Sequence, residues 1–345
     1  MRSNVVAYAV GRISLFIQDM KPFRFIPILA FLFALTACGT DVDFNDEEDN
    51  RTTMRNNTNR NDTRANSVYG RLEFPKLKGG ANNIVIVHRA SFGVNYCVEW
   101  DTDLHPTGWN EEGSLRSQRW SCYQMHPGNT SNATDRKPRN YNGPFTEYPN
   151  DPDLDSQYHF TADPYSGSGY DHGHIIPSAD RAYSYNSQAN TQTFYMTNMQ
   201  PQVNGFNGYV WANMEKIVRE WNNNNFRDTL YVVKGGTIDD NANIIRYLGS
   251  GRNKIPVPKY FFMALLCKNQ DPGNGGYKAL GFWIQHQSSS TKDLRPYVVN
   301  IDELERLTGI DFFCNLPDDI ENAVESLDRE KVLNAWKVED FQKKL

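Results

Sequence analysis

Two segments hold side chains on which a reaction could be built: YDHGHIIPSADR, from Tyr170 to Arg181, and NMQPQVNGFNGYVWANME, from Asn198 to Glu215. His174 is an imidazole that titrates near neutrality, so it can accept a proton from an attacking water. Asn207 and Glu215 offer an amide oxygen and a carboxylate. Such hard oxygen ligands suit Mg²⁺, with Mn²⁺ as a substitute, an ion that keeps several waters and takes further ligands from substrate phosphates. Zinc would ask for more nitrogen or sulfur. A proton acceptor beside a hard cation is a combination that hydrolyses phosphodiesters.

These groups act together only if local structure brings them together. Val210, Trp211, Met214, Ile217, Val218 and Trp221 recur at the spacing of an amphipathic helix, which predicts a helix beginning near Asn207. Eight positions at ~100° per residue leave Asn207 and Glu215 about 80° apart around its axis and roughly two turns apart along it, within reach of one ion or its water shell. His174 follows Gly167, Gly169 and Gly173, which predicts a turn where backbone passes close to a ligand. Each feature also has an ordinary reading: an Asn at a helix start is commonly an N-cap, and a His in a glycine-rich turn is commonly a surface residue. Their order and spacing together carry the argument. Asp180 and Arg181 read as a structural ion pair or turn.

The pattern D-x-G-H at Asp171 to His174, N-x-x-P-Q at Asn198 to Gln202, and N-x7-E from Asn207 to Glu215 with Trp211 between resembles the DNA/RNA non-specific endonuclease family of ββα-metal (His-Me finger) nucleases, which includes endonuclease G. The resemblance spans roughly residues 80 to 325. IPVPKYFFMALL, from Ile255, resembles the strand after the metal helix, and VVNIDELERLTGIDFFCNLPDD, from Val298, the C-terminal element. It implies a Mg²⁺-dependent hydrolysis of DNA or RNA that leaves 5′-phosphates. His174 then matches the general base, Asn207 the metal ligand, Glu215 the residue holding metal-bound water, and Asn198 an active-site amide near the base. Arg139, with Arg136 its rival, matches the arginine that stabilises charge on the phosphate. The family has Arg in the second position of D-R-G-H, where this chain has His172, a group charged only when protonated. A catalytically impaired nuclease-like protein that binds nucleic acid or another partner is one alternative. A zinc hydrolase built on His172-x-His174 is another.

The N-terminus points to export. Met20 to Arg24 supplies a basic stretch, Phe25 to Leu35 an apolar run too short to span a bilayer, and Leu35-Thr36-Ala37-Cys38 resembles a bacterial lipobox with Cys38 as the lipidated residue. Residues 1–38 are thus expected to be a signal peptide, with Met20 as an alternative start. Residues 39–67, rich in Asn, Asp, Thr and Arg, are expected to be a disordered tether, and residues 68–345 the endonuclease domain. The expected location is the cell envelope, outer membrane or cell surface, through a lipid anchor. Oligomeric state is not legible.

Strand-like runs at Ile84–Arg89, Asn95–Asp101, Thr193–Asn198, Thr229–Gly235, Lys259–Cys267 and Ala279–His286 interleave with helices near Gly208–Trp221, Ile301–Leu307 and Pro317–Ser326. This predicts an α+β fold with a central antiparallel sheet and packed helices. With Cys38 lipidated, four cysteines allow three pairings; proximity favours Cys97 with Cys122 and Cys267 with Cys314, and buried free thiols are nearly as well supported. Loss of residues 1–38, with Arg2, Arg12, Lys21 and Arg24 against Asp19, takes the formal charge from −5 to −8. An acidic body gains no long-range attraction for a polyanion, so local cations must supply it, with Arg136, Lys137, Arg139, Arg219, Lys254 and Lys259 available. Phosphate contacts alone imply broad sequence specificity.

Overall fold

The computed structural model describes residues 56–102, 116–130, 147–182, 187–269 and 273–345. Eleven strands are found there: β1 (Asn83–Ala90), β2 (Gly93–Asp101), β3 (Ser117–Met125), β4 (Asp171–His174), β5 (Met199–Gln202), β6 (Thr229–Gly236), β7 (Ile244–Leu248), β8 (Ile255–Pro258), β9 (Tyr260–Lys268), β10 (Tyr277–Gln285) and β11 (Val298–Val299). The helices are α1 (Ser187–Gln192), α2 (Ala212–Trp221), α3 (Ile301–Thr308), α4 (Asp318–Glu325), α5 (Arg329–Ala335) and α6 (Val338–Gln342). Seven strands pair antiparallel in the order β1-β2-β3-β6-β9-β10-β11, while β4 pairs with β5 and β7 with β8. The α+β fold with a central antiparallel sheet is as expected.

Both faces of the large sheet are covered, which explains why YFFMALLC in β9 reads as an unbroken apolar run. Alternate side chains go to opposite sides. Phe261, Met263 and Leu265 pack with Trp211, Met214, Ile217 and Val218 of the helical segment ending in α2. Phe262, Ala264 and Leu266 pack with Leu304 of α3 and with Ile320 and Val324 of α4. Helix α3 is well bounded: Asn300 accepts a hydrogen bond from the Glu303 amide at its start, and Gly309 closes it in the left-handed region at φ 70°.

Four expectations are corrected. Thr193–Asn198 is no strand; it runs through a turn into a short 3₁₀ segment at Met196–Asn198, and only the following four residues pair as β5. Its β-rich composition reflects buried packing rather than sheet pairing. The glycine-flanked residues before His174 do turn, with Gly167 and Gly169 at positive φ, but Asp171–His174 itself is extended as β4.

The presumed tether is folded from residue 56 onward. Asn57 and Asn61 donate to the carbonyls of Leu316 and Pro75, Asn59 donates to Glu321, and Asn61 is 4% exposed. A polar segment that cannot make a core can still dock when its amides satisfy another element's polar groups. Cys97, Cys122, Cys267 and Cys314 are free and buried. Cys97 does stand opposite Cys122 across β2 and β3, whereas Cys267 and Cys314 are apart, the one bonded to the Phe226 carbonyl and the other to Phe74.

Candidate active site

Strand β4 and the helix that follows β5 meet at the residues singled out by their spacing. The helix does not begin as an α-helix: Phe206–Trp211 forms a π-helical turn, and α2 takes over at Ala212. A π turn bonds i to i+5, so each residue advances fewer degrees than in an α-helix. The angular offset of about 80° expected for an ideal helix therefore shrinks, placing Asn207 more nearly above Glu215.

Asp171 fixes Asn207. Its Oδ2 accepts hydrogen bonds from Nδ2 of Asn207 at 3.0 Å and from Nδ2 of Asn204 at 3.1 Å. With its nitrogen committed, Asn207 keeps its oxygen as the group to offer a cation. From the same helix, Trp211 Nε1 donates to the His174 carbonyl at 3.1 Å, so the π turn holds both ends of β4. His174 is half-buried, with its ring edge-on to Phe194 at 5.0 Å and to Tyr148 at 6.1 Å. A Cβ at Gly173 would lie 2.3 Å from the Gln202 side chain, which would have to shift to admit it. Both polar atoms of that Gln202 amide are buried without a hydrogen-bond partner among the described residues. Such an amide beside a reaction site is poised to meet a polar ligand.

Glu215 is half-buried on α2, with Nη1 of Arg219 at 4.0 Å. Arg219 in turn binds Oδ1 of Asp180 at 2.9 Å, and the Tyr123 hydroxyl donates to Asp180 Oδ2 at 2.5 Å. Burial alone would raise the Asp180 carboxyl, yet Arg219 and Lys234 hold it below the usual carboxylate range. Asp180 and Arg181 are thus structural as expected, but not as a pair with each other. Arg181 is buried and donates to the carbonyls of Asn95 and Gln124.

Two sequence candidates take different roles. Asn198, fully buried, spends its whole side chain on backbone: Nδ2 donates to the carbonyls of Ile176 and Thr193, and Oδ1 accepts from the Ile176 amide. It braces the chain leaving β4 and has no free amide for a substrate. His172 is enclosed between Tyr148 at 4.0 Å and Tyr165 at 3.9 Å, with Nε2 3.2 Å from Asp163 Oδ1. Burial would raise Asp163, but the His172 bond and the Tyr165 amide keep it low. Any charge on His172 is therefore paired within the protein rather than presented to a phosphate.

Arg136, Arg139 and Cys38 lie outside the described residues. Arg219 is committed to Asp180, and Lys254 and Lys259 rest on the rings of Tyr247 and Tyr260. Among the described residues, the groups of three close His, Cys, Asp or Glu ligand atoms include neither His172 nor His174. Sequence reasoning passed over Asp171, Gln202, Tyr148 and Asp163. Asp171 and Gln202 stood inside the quoted motifs; Tyr148 and Asp163 left no spacing signal.

The chain is similar to proteins described as nucleases. Residues 110–319 match the model of the family described as DNA/RNA non-specific endonuclease. A nuclease from Nostoc sp. is 36% identical over 168 residues, 47% of this chain and 57% of the relative. Nuclease C1 from Cunninghamella echinulata is 32% identical over 50% of this chain and 68% of its own, and human mitochondrial endonuclease G is 26% identical over 58% and 65%. The chain thus spans between about half and two thirds of the length of such relatives. A crystal structure of an EndoG/EndoGI complex shares the fold, with a TM-score of 0.51 at 19% identity over 70% of this chain and 89% of that one.

Proposed function

From the chain's membership of the DNA/RNA non-specific endonuclease family, which its match over residues 110–319 establishes, we propose that it is a metal-dependent endonuclease that hydrolyses phosphodiester bonds of DNA, RNA or both. The observation that carries the reading is the double tie of the π turn to β4, Asn207 to Asp171 and Trp211 to His174, which holds a candidate base and a candidate ligand in one frame. The donor set fits a hard cation: Asn207 has its amide oxygen left over and Glu215 offers a carboxylate. When bound there, Mg²⁺ would neutralise charge developing on the phosphate and on the leaving 3′ oxygen.

His174 takes the proton from the attacking water, its ring held by Phe194 and Tyr148 and its backbone by Trp211. Asn207 and Glu215 would hold the ion, and Asp171, by taking the Asn207 nitrogen, leaves the Asn207 oxygen free for it. Arg139 is the proposed partner for phosphate charge, since His172 is engaged by Asp163. That engagement also favours a second reading, a catalytically impaired nuclease-like protein that binds nucleic acid without cutting it.

Nicking of supercoiled plasmid, with Mg²⁺ and with EDTA, tests the proposal. Cleavage should require the ion, and His174→Ala should lower turnover by roughly a hundredfold or more without changing the fold. Binding without cleavage by the wild type would support the second reading. We also propose that residues 1–38 direct export and that Cys38 carries the lipid holding the protein at the cell envelope; fatty-acid label should enter the wild type and not Cys38→Ala.

A further inference from the structure

On the sheet face opposite α2, three carboxylates converge outside the candidate active site. Asp302 and Glu305 are one turn apart on α3, Glu325 is the last residue of α4, and an oxygen from each lies within 4.8 Å of the others. Exposure grades inward, from exposed Asp302 through half-buried Glu305 to Glu325 at 5%. Oε1 of Glu305 is satisfied by the Phe312 amide at 2.7 Å. Oε1 of Glu325 is not: it is buried with no hydrogen-bond partner among the described residues.

The surroundings do not repair that. The neighbours that act most on Glu325 are Glu305, Glu321, Asp311 and Asp302, all acidic, with Lys76 acting on Asp311. Arg306, the basic residue of α3, turns outward to bind Glu303 at 2.5 Å, and Asn59 covers Glu321 and Asp311 without adding charge. Buried carboxylates left in that state are compensated by protons or by a cation.

We infer that Asp302, Glu305 and Glu325 form a binding site for a divalent cation of the calcium class that clamps α3 to α4. The ligands are all oxygen, which disfavours zinc. They come from side chains of two helices with an open edge at Asp302, where water fills the remaining positions, and the variable coordination of Ca²⁺ adapts to such a set more readily than the near-ideal octahedron of Mg²⁺. A buried, unpaired carboxylate oxygen at the closed end and a solvated carboxylate at the mouth give the ion both a seat and a path. The site is independent of the nuclease reading, since α2 and α3 belong to opposite faces of the sheet.

Calorimetric titration with CaCl₂ and thermal unfolding with and without millimolar Ca²⁺ test it, using protein bearing Asn207→Ala so that the candidate active site does not contribute. Calcium should bind with one equivalent and raise the melting temperature. Adding Glu325→Gln should abolish both effects, and adding Asp302→Asn, at the exposed edge where folding is not at risk, should weaken binding by about tenfold or more. Plasmid nicking by protein carrying Glu325→Gln alone should match the wild type. No calcium binding in the Asn207→Ala background, or binding and a thermal shift that survive Asp302→Asn unchanged, would overturn the assignment. Absence of nuclease activity would leave these outcomes untouched.

Discussion

Asp171 Oδ2 accepts the side-chain amide of Asn207 at 3.0 Å, and this one bond decides which end of that amide faces away from β4. An asparagine can turn either its oxygen or its nitrogen to a neighbour; an ionised carboxylate accepts only, so it selects the nitrogen. Asp171→Ala should therefore weaken Mg²⁺ rather than remove the base. Titrating nicking activity with Mg²⁺ should show the ion requirement raised by roughly 10- to 100-fold, the range for losing a residue that orients a ligand, with activity recovered at high Mg²⁺. An unchanged requirement would detach Asp171 from the metal.

Asn198 is tested by stability. Its side chain makes three bonds to buried backbone. Asn198→Ala leaves the amide of Ile176 and two carbonyls to find other partners, at a cost of about 1–3 kcal/mol for each that does not. Chemical denaturation should show a loss of that order. Asn198→Ala with wild-type stability and lost cleavage would instead return the residue to a direct catalytic role.

His88 sets a pH dependence far from the proposed base. Its Nδ1 is 3.0 Å from Asp153 and its Nε2 3.1 Å from Asp151, with the rings of Tyr96 and Tyr195 alongside. Burial opposes the imidazolium, but the two carboxylates outweigh it and raise His88 from 6.5 to about 9. The folded protein therefore keeps a proton that the unfolded chain gives up. The stabilisation is complete below about 6.5 and is lost as pH climbs through about 9. Melting temperatures of wild type and His88→Gln, compared across that range, should differ most at the acid end and converge at the alkaline end. A constant difference would show that His88 is not charged in the fold.

The four core cysteines should behave as inert thiols. Burial pushes Cys267 up to about 12 and raises Cys122 and Cys314 as well. A thiol reagent at neutral pH should label none of Cys97, Cys122, Cys267 and Cys314 in the native protein and all four after unfolding. If Cys97 and Cys122 stay unlabelled in the unfolded, unreduced protein, the two opposed thiols have been joined by oxidation.

Much of the fold was legible because its elements announce themselves locally. Strands β1, β2, β6, β9 and β10 and helices α3 and α4 fall within a few residues of the expected runs, since each carries its own apolar pattern. Strand β3 was missed: SQRWSCYQM is polar in composition yet buried along its length, because Tyr123, Gln124 and their neighbours are satisfied by partners distant in sequence. The docking of Asn57, Asn59 and Asn61 was invisible for the same reason, as an amide gives no sign of which far-off carbonyl or carboxylate will receive it.

The choice of His174, Asn207 and Glu215 as candidate site residues, their order, and the helix bearing two of them came from the sequence, because metal and proton chemistry need particular side chains at particular intervals. Tertiary structure decided their company. Only in three dimensions does Asp171 orient Asn207, does Asp163 engage His172 between two tyrosines, does Asn198 become a brace, and does a π turn shift the phase between Asn207 and Glu215. Periodicity records which face of an element is buried, whereas the partner of a polar group depends on where another segment of chain arrives, and that is set by the packing of the whole domain.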